Sequence, residues 1–437
     1  MGYRPFTFSQ RDRYLRIISD SHGIVNAAAV AFSFVLGYNK TAMKQDDFRG
    51  VSPVPWVLVV LLILLLAGLV LLRLFAPGDD TPAPEPDPTP TVTPTPEPDE
   101  AELLLRDMTL REKIAQLLVV QPQALTGTKT VTAVDETLAD ALKAYPVGGL
   151  LLTAEHIRTA DQLMSFTRDL QRANPGMLIS VDEEGGRVAR LMTTVGTTRL
   201  NNMFSYREEG TKTAYQNART IARDLKDFGF NTDFAPVADV WTEKQNTVIG
   251  NRAYSDDYDE AAALVGSAVR GFKDGGVLCC LKHFPGHGST TTDSHEEAAI
   301  VQKDRQTLLS EDLKPFVSGM EAGAEMVMAG HLLVPAVDDQ VASMSKTLLT
   351  DLLREELGFE GVIITDGLQM AAAGAWSDGE KAVRCLSAGA DLLLEISDVE
   401  GTVTALEQAV ADGTLSEERI DESVLRVLRM KLDRGII

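Results

Sequence analysis

Residues 101–437 of this 437-residue chain predict an α/β fold, a (β/α)8 TIM-type barrel. Three observations predict it. Eight short apolar runs recur at intervals, helical periodicity fills most of the gaps, and charged residues collect at the ends of the runs.

The runs are 117–121, 147–152, 177–182, 231–239, 277–284, 325–331, 361–366 and 390–396. They are nearly continuous in Val, Ile, Leu and Met rather than alternating. That is the pattern of parallel strands covered on both faces. Between them, apolar residues at three-to-four spacing mark helices at 161–173, 211–228, 259–274, 347–357 and 403–411. A first helix at 110–116 opens on a capping box, Thr109 followed three residues later by Glu112. A doubly wound open sheet is the competing architecture, but no G-x-G-x-x-G motif follows the first strand, which weakens the case for a dinucleotide site.

The first hundred residues have another texture. From 54 to 72 the chain reads VPWVLVVLLILLLAGLVLL without a charge, close to the ~20 residues that cross a bilayer. A transmembrane helix is expected at 54–75. Arg4, Arg11, Arg13, Arg16, Lys40, Lys44 and Arg49 precede it, whereas Asp79, Asp80, Glu85 and Asp87 follow. By the positive-inside rule, residues 1–53 are cytoplasmic and the rest lies outside the cell membrane. The stretch 24–38 is apolar but short and interrupted by Asn26 and Ser33, so it reads as an amphipathic segment. Residues 76–100, rich in Pro and Thr, form an extended polyproline linker.

A net charge of −22 argues against a nucleic-acid partner, which needs clustered cations. The three cysteines, Cys279, Cys280 and Cys385, read as small buried hydrophobes rather than a redox or metal set. No cofactor is expected.

Catalytic groups of a barrel belong at the C-terminal ends of its strands. Here those ends carry Asp182-Glu183-Glu184 with Arg190 beyond, Asp233 and Asp239 leading to Arg252, Lys282-His283, His331, and Thr365-Asp366. Carboxylates beside Lys and Arg suit a ligand rich in hydroxyls, of which a sugar is the simplest. Glycoside cleavage needs a nucleophile and a proton donor. Asp366, alone at the tip of an apolar strand, is placed for the first role and His295 for the second. In the extended segment Asp293-Ser294-His295 the outer two residues face the same way, so Asp293 can hold the imidazole. His283 and His287 stand at a zinc-like interval, but Pro285 and Gly286 between them preclude the helix that a metal site would need. Asp233 and Asp239 read as loop ties, His287 as a loop lock, and His331 as either a core histidine or a pocket liner.

The run KHFPGHGSTTTDSH resembles the signature of bacterial β-N-acetylhexosaminidases of glycoside hydrolase family 3. DEEGGRVARL, DFAPVADV, VIGNRAYS and LREELGFEGVIITDGLQM are similar to the same family in the expected order, so the resemblance covers 101–437. It implies that Asp366 is the nucleophile of a retaining enzyme and that His295 with Asp293 is the acid/base. Asp182, Arg190, Arg252, Lys282 and His283 would bind N-acetylglucosamine. The implied substrates are cell-wall fragments in which that sugar is β-1,4-linked to N-acetylmuramic acid or its anhydro form. Two positions depart from the family pattern. Glu183 stands where glutamine is common, adding negative charge near the sugar, and Gly367 stands where a second acid is frequent. The chain ends soon after its eighth strand and so lacks the second domain that supplies the acid/base in many relatives. That fits a histidine from the barrel itself. The alternatives are a β-glucosidase or glycoside phosphorylase on the same barrel, or a non-catalytic protein that only binds wall glycan.

Overall fold

The computed structural model describes residues 98–291 and 298–437. The expected membrane span at 54–75, residues 1–53, nearly all of the linker, and the segment with Asp293 and His295 lie outside the described residues. Among the described residues no helix is long and apolar enough to cross a membrane.

Eight strands form one sheet: β1 (Leu118–Val120), β2 (Gly149–Leu151), β3 (Leu178–Val181), β4 (Thr232–Asp233), β5 (Leu278–Phe284), β6 (Met326–Ala329), β7 (Val362–Thr365) and β8 (Leu393–Leu394). From β1 to β7 each pairs in parallel with its neighbour in sequence, and β1 also pairs in parallel with β8. A bridge between Ile364 and Leu392 joins the two remaining edges. The result is a barrel-like α/β fold, a parallel sheet closed at its last seam by that one bridge.

The strands are buried on both faces because helices cover the outside and side chains fill the inside. All seven residues of β5 are buried, Cys279 and Cys280 among them. The helices also begin where local chemistry dictates. Thr109 and Glu112 cap each other's backbone at the helix Leu110–Gln116. Asp257 accepts from the first-turn N–H groups of Tyr258–Gly275, and Gly276, at φ +87°, ends that helix in the left-handed region.

The fourth strand differs from expectation. The run 231–239 yields only two residues of regular strand, because Pro236 has no N–H for the ladder. Beyond β4 the chain still follows β5 through a bridge between Val237 and Lys282 and a 2.8 Å bond from Cys280 N–H to the Ala235 carbonyl. This looser course carries residues 237–252 over the end of the barrel, where they form one wall of the site.

Candidate active site

At the C-terminal ends of the strands lies a cavity of about 380 Å³, lined by Asp182, Arg190, Arg252, Lys282, His283 and Asp366. The fold brings these six together from the ends of four different strands, β3, β4, β5 and β7. Asp293 and His295 lie outside the described residues.

One corner is a buried ionic cluster. Lys282 Nζ lies 2.7 Å from both Asp182 Oδ1 and Glu184 Oε1. Arg252 grips Glu184 with two bonds, Nε to Oε2 at 2.8 Å and Nη2 to Oε1 at 2.7 Å. Burial opposes the charge on Glu184, but Arg252 and then Lys282 hold its carboxyl well below the ordinary range. Burial likewise opposes the Lys282 ammonium, and Asp182 and Glu184 outweigh it, raising the pKa. The cations and the acids match in number. Asp182, whose side chain keeps 24% of its exposure, retains acceptor capacity facing the cavity.

The alternation of side chains along 182–184 explains this corner. Asp182 and Glu184 face the same way, toward Lys282, and Glu183 points to the other side. Glu183 therefore does not add charge to the cavity, contrary to the sequence expectation. Its carboxylate accepts the backbone N–H groups of Arg190, Leu191 (2.9 Å) and Met192 (3.0 Å), capping the short helix Arg190–Thr194. It thereby fixes the helix that carries Arg190 to the cavity. Arg187, next to this hairpin, donates to the carbonyls of Thr247 (2.7 Å), Val248 and Ile249 (3.1 Å) and ties the wall in place.

Asp239 organises the second side. Its Oδ2 lies 2.7 Å from His283 Nδ1, and its Oδ1 accepts the backbone N–H groups of His283 (3.2 Å) and His287 (2.7 Å). The bond to Nδ1 sets the ring so that its other nitrogen is available to the cavity. His287 both lines the cavity and locks its loop, with Nδ1 2.9 Å from Thr290 Oγ. Burial pushes its pKa down. Gly286 adopts φ +123°, whereas Gly288 is needed for a different reason: a β-carbon there would lie 1.9 Å from the Val240 carbonyl oxygen.

Asp366 sits just past β7, half-buried at the cavity floor. Its N–H donates to the Ala329 carbonyl at 2.8 Å, and its Oδ1 accepts the Gly367 N–H at 2.8 Å. Burial disfavours its charge, but the imidazoles of His283 and His331, the Gly367 N–H and Lys282 together hold the carboxyl below its usual range. Its second oxygen is left for chemistry. His331 lies beneath, fully buried, with Nε2 3.0 Å from the Gly367 carbonyl and Nδ1 2.7 Å from Ser343 Oγ. It is a core histidine that props the 366–367 turn. Asp233 is equally buried, accepts the Glu183 N–H at 2.9 Å, and has its pKa driven up by burial.

Sequence reasoning left three residues without a site role: Glu184, Asp239 as the orienter of His283, and Glu395, a cavity-lining acid just past β8. The period-two pattern at 182–184 pointed to Glu184, and the charged strand end in ADLLLEI pointed to Glu395.

Known proteins resemble this chain in sequence and in fold. The model of the glycosyl hydrolase family 3 N-terminal domain matches residues 109–430. Beta-hexosaminidase LpqI of Mycobacterium tuberculosis is 35% identical over 340 residues, 74% of this chain and 82% of the relative. Beta-hexosaminidase A of Pseudoalteromonas piscicida is 32% identical over 333 residues, 69% of this chain but 56% of the relative. Among solved structures, a family 3 beta-N-acetylglucosaminidase from Paenibacillus sp. str. FPU-7 aligns with a TM-score of 0.71 at 35% identity, covering 75% of this chain and 63% of that one. The M. tuberculosis LpqI structure aligns at 0.69 and 32%, covering 76% and 96%. This chain thus spans little more than half the length of some relatives and most of others. With a matching barrel, a polar cavity at its catalytic end and a family model covering most of the sequence, the chain belongs to the family 3 glycoside hydrolases.

Proposed function

We propose that the protein is a retaining exo-β-N-acetylglucosaminidase acting on peptidoglycan fragments or related glycans outside the cytoplasm. The observation that carries this reading is a half-buried, ionised aspartate at the floor of a sugar-sized cavity whose walls offer both acceptors and donors. In this reading Asp182 accepts sugar hydroxyls while Lys282, Arg190, Arg252 and His283 donate to or orient the ring. The free oxygen of Asp366 attacks the anomeric carbon as the bond from that carbon to the leaving oxygen breaks. His295, held by Asp293, gives its proton to that oxygen, leaving a sugar ester on Asp366. His295 then takes a proton from water, the resulting nucleophile attacks the anomeric carbon, and the sugar departs with its configuration retained. The lowered pKa of Asp366 favours the ionised nucleophile at neutral pH. The names of the relatives, beta-hexosaminidases and a beta-N-acetylglucosaminidase, support N-acetylglucosamine as the cleaved unit. The apolar run at 54–72 and the acidic side that follows it support anchoring by a single span, with the N-terminus inside.

Turnover of a panel of p-nitrophenyl glycosides, with and without phosphate, tests the sugar and the acceptor. Preference for the N-acetyl-β-glucosaminide without phosphate stimulation is expected. A glucoside preference, or phosphate-dependent sugar phosphate release, would contradict the reading, and sugar binding without turnover would mark a glycan-binding protein. His295→Ala should slow natural disaccharides far more than aryl glycosides, because a good leaving group needs little proton assistance. Equal losses would exclude His295 as the acid. Protease added to intact cells should release the catalytic domain at the Pro/Thr linker, and protection would reverse the topology.

A further inference from the structure

Asp233, the last residue of β4, is fully buried and lies outside the cavity lining, yet it fastens the strand end that feeds the cavity. The sheet register shows why. Ser180 pairs with Thr232 and Val181 with Asp233, and the Phe234 N–H donates to the Val181 carbonyl at 2.9 Å. A parallel ladder carried one step further would take the Glu183 N–H to the Phe234 carbonyl. It would also offer the Glu183 carbonyl to the N–H of residue 236. Residue 236 is proline and has none, so the ladder stops and the buried Glu183 N–H needs another acceptor. Asp233 Oδ1 supplies it at 2.9 Å.

The anchored N–H belongs to the residue between Asp182 and Glu184, whose carboxylates both meet Lys282 Nζ at 2.7 Å. The side chain of that same residue caps the helix that carries Arg190. A shift of the Glu183 main chain would therefore move the acceptor that Asp182 turns to the cavity. Asp233 prevents this without adding charge. Its other oxygen, Oδ2, is buried and meets no donor. Burial outweighs the Glu183 N–H and Lys282 and drives its pKa up. A neutral acid leaves undisturbed the match of Lys282 and Arg252 with Asp182 and Glu184.

We propose that Asp233 is a positioning residue for sugar binding, its Oδ1 replacing a main-chain acceptor at Glu183 and so aiming Asp182 into the cavity. It acts through Asp182 and does not touch the ligand. The role needs an acceptor oxygen and no charge, so the amide of an asparagine fills it and an apolar side chain does not. The assignment rests on the cavity being a sugar site, and its test is read by binding rather than by turnover.

Calorimetry with N-acetylglucosamine on the full chain compares the wild type with Asp233→Asn, Asp233→Leu and Asp233→Ala, with melting temperatures measured alongside. Asp233→Asn should bind within about 2-fold of the wild type. Asp233→Leu, which fills the space without an acceptor, should raise Kd about 10-fold, as should Asp233→Ala. The same change made in an Asp182→Asn background should cost far less, because the residue being positioned is already altered. A merely structural role would lower the melting temperature and leave Kd of the folded protein unchanged. That result would overturn the proposal, as would a Kd raised as much by Asp233→Asn as by Asp233→Leu, or equal losses in the two backgrounds. Failure of both Asp233→Leu and Asp233→Ala to fold while Asp233→Asn folds would reduce Asp233 to a stabilising residue and overturn it too. Wild-type protein that binds the sugar but does not cleave glycosides would instead sink the glycosidase reading alone, and failure of the wild type to bind would sink both.

Discussion

Both ends of the barrel bury a carboxylate among cations, yet the two clusters do opposite things. At the end remote from the cavity, Asp391 is fully buried. It takes Arg354 at 2.7 Å, Arg426 at 3.0 Å, Ser423 Oγ at 2.7 Å and the Ile363 N–H at 3.0 Å, with Arg419 at 3.4 Å. Its acceptor positions are spent on fastening the last helix, Glu417–Asp433, and the helix before β7 to the sheet. At the cavity end, Glu184 is saturated in the same manner by Lys282 and Arg252, but Asp182 and Asp366 each keep an oxygen directed into open space. The difference lies in the unspent acceptor rather than in the presence of charge. One cluster holds the barrel together, and the other holds a cavity-facing pair in position.

The largest expected effect breaks the cavity end alone. Asp366→Ala should lower kcat by at least about 10³-fold while the melting temperature stays near that of the wild type, because the proposed nucleophile contributes little to packing. Loss of stability with activity retained would reverse the assignment. Next, Asp391→Ala strands three arginines and should cost about 3–5 kcal/mol in denaturant unfolding, with kcat/KM per folded molecule unchanged. Lys282→Met should cost a similar amount, leaving Glu184 and Asp182 short of a cation, and should also abolish sugar binding. Equal activity losses from Asp391→Ala and Lys282→Met would erase the distinction between the two ends.

The barrel and much of its cavity end were legible in the sequence, whereas the Asp391 cluster was not, and the reasons differ by region. The eight strands could be read because continuous apolar runs have few other uses at that length and spacing. The fourth run misled by length, since Pro236 interrupts the ladder while leaving hydrophobicity intact. Six cavity residues were legible because charge at the end of an apolar run has no structural excuse. Glu183 was misassigned because composition says what is present and not which way it faces. The cap it provides depends on the turn at Gly185 and Gly186, both at positive φ. Glu395 escaped notice because it reaches the cavity through a left-handed backbone angle that only the folded chain displays.

Acid titration sharpens the comparison further. The Glu184 carboxyl is held below its unfolded value, ~4.3, by Arg252 and Lys282. The unfolded chain therefore binds the proton first as pH falls. The stabilisation is complete above that value and is lost progressively as pH drops toward the folded pKa. The Glu184 contribution should be constant above about pH 5 and decline below about 4, so the acid-side fall in melting temperature below that value should be shallower in Glu184→Gln. An unchanged slope would remove Glu184 from the account.

The smallest effect concerns Lys431, buried below the sheet against Gln116 Oε1 (3.0 Å) and the Gly148 carbonyl (3.1 Å). Burial pushes its pKa down to about 7. Between that value and ~10.4 the unfolded chain holds the extra proton, so stability should rise with pH across this window. Comparing Lys431→Met with the wild type at pH 7 and 9 should show a smaller rise in the variant. Parallel pH dependences would contradict this reading.

The most direct measurement is covalent trapping. A 5-fluoro N-acetylglucosaminyl fluoride should form an ester quickly and lose it slowly, and peptide mass spectrometry then reports which carboxylate carries the sugar. Label on Asp366 is the predicted result. Label on Glu395, on Asp182 or on no residue of a protein that still turns over substrate would contradict it.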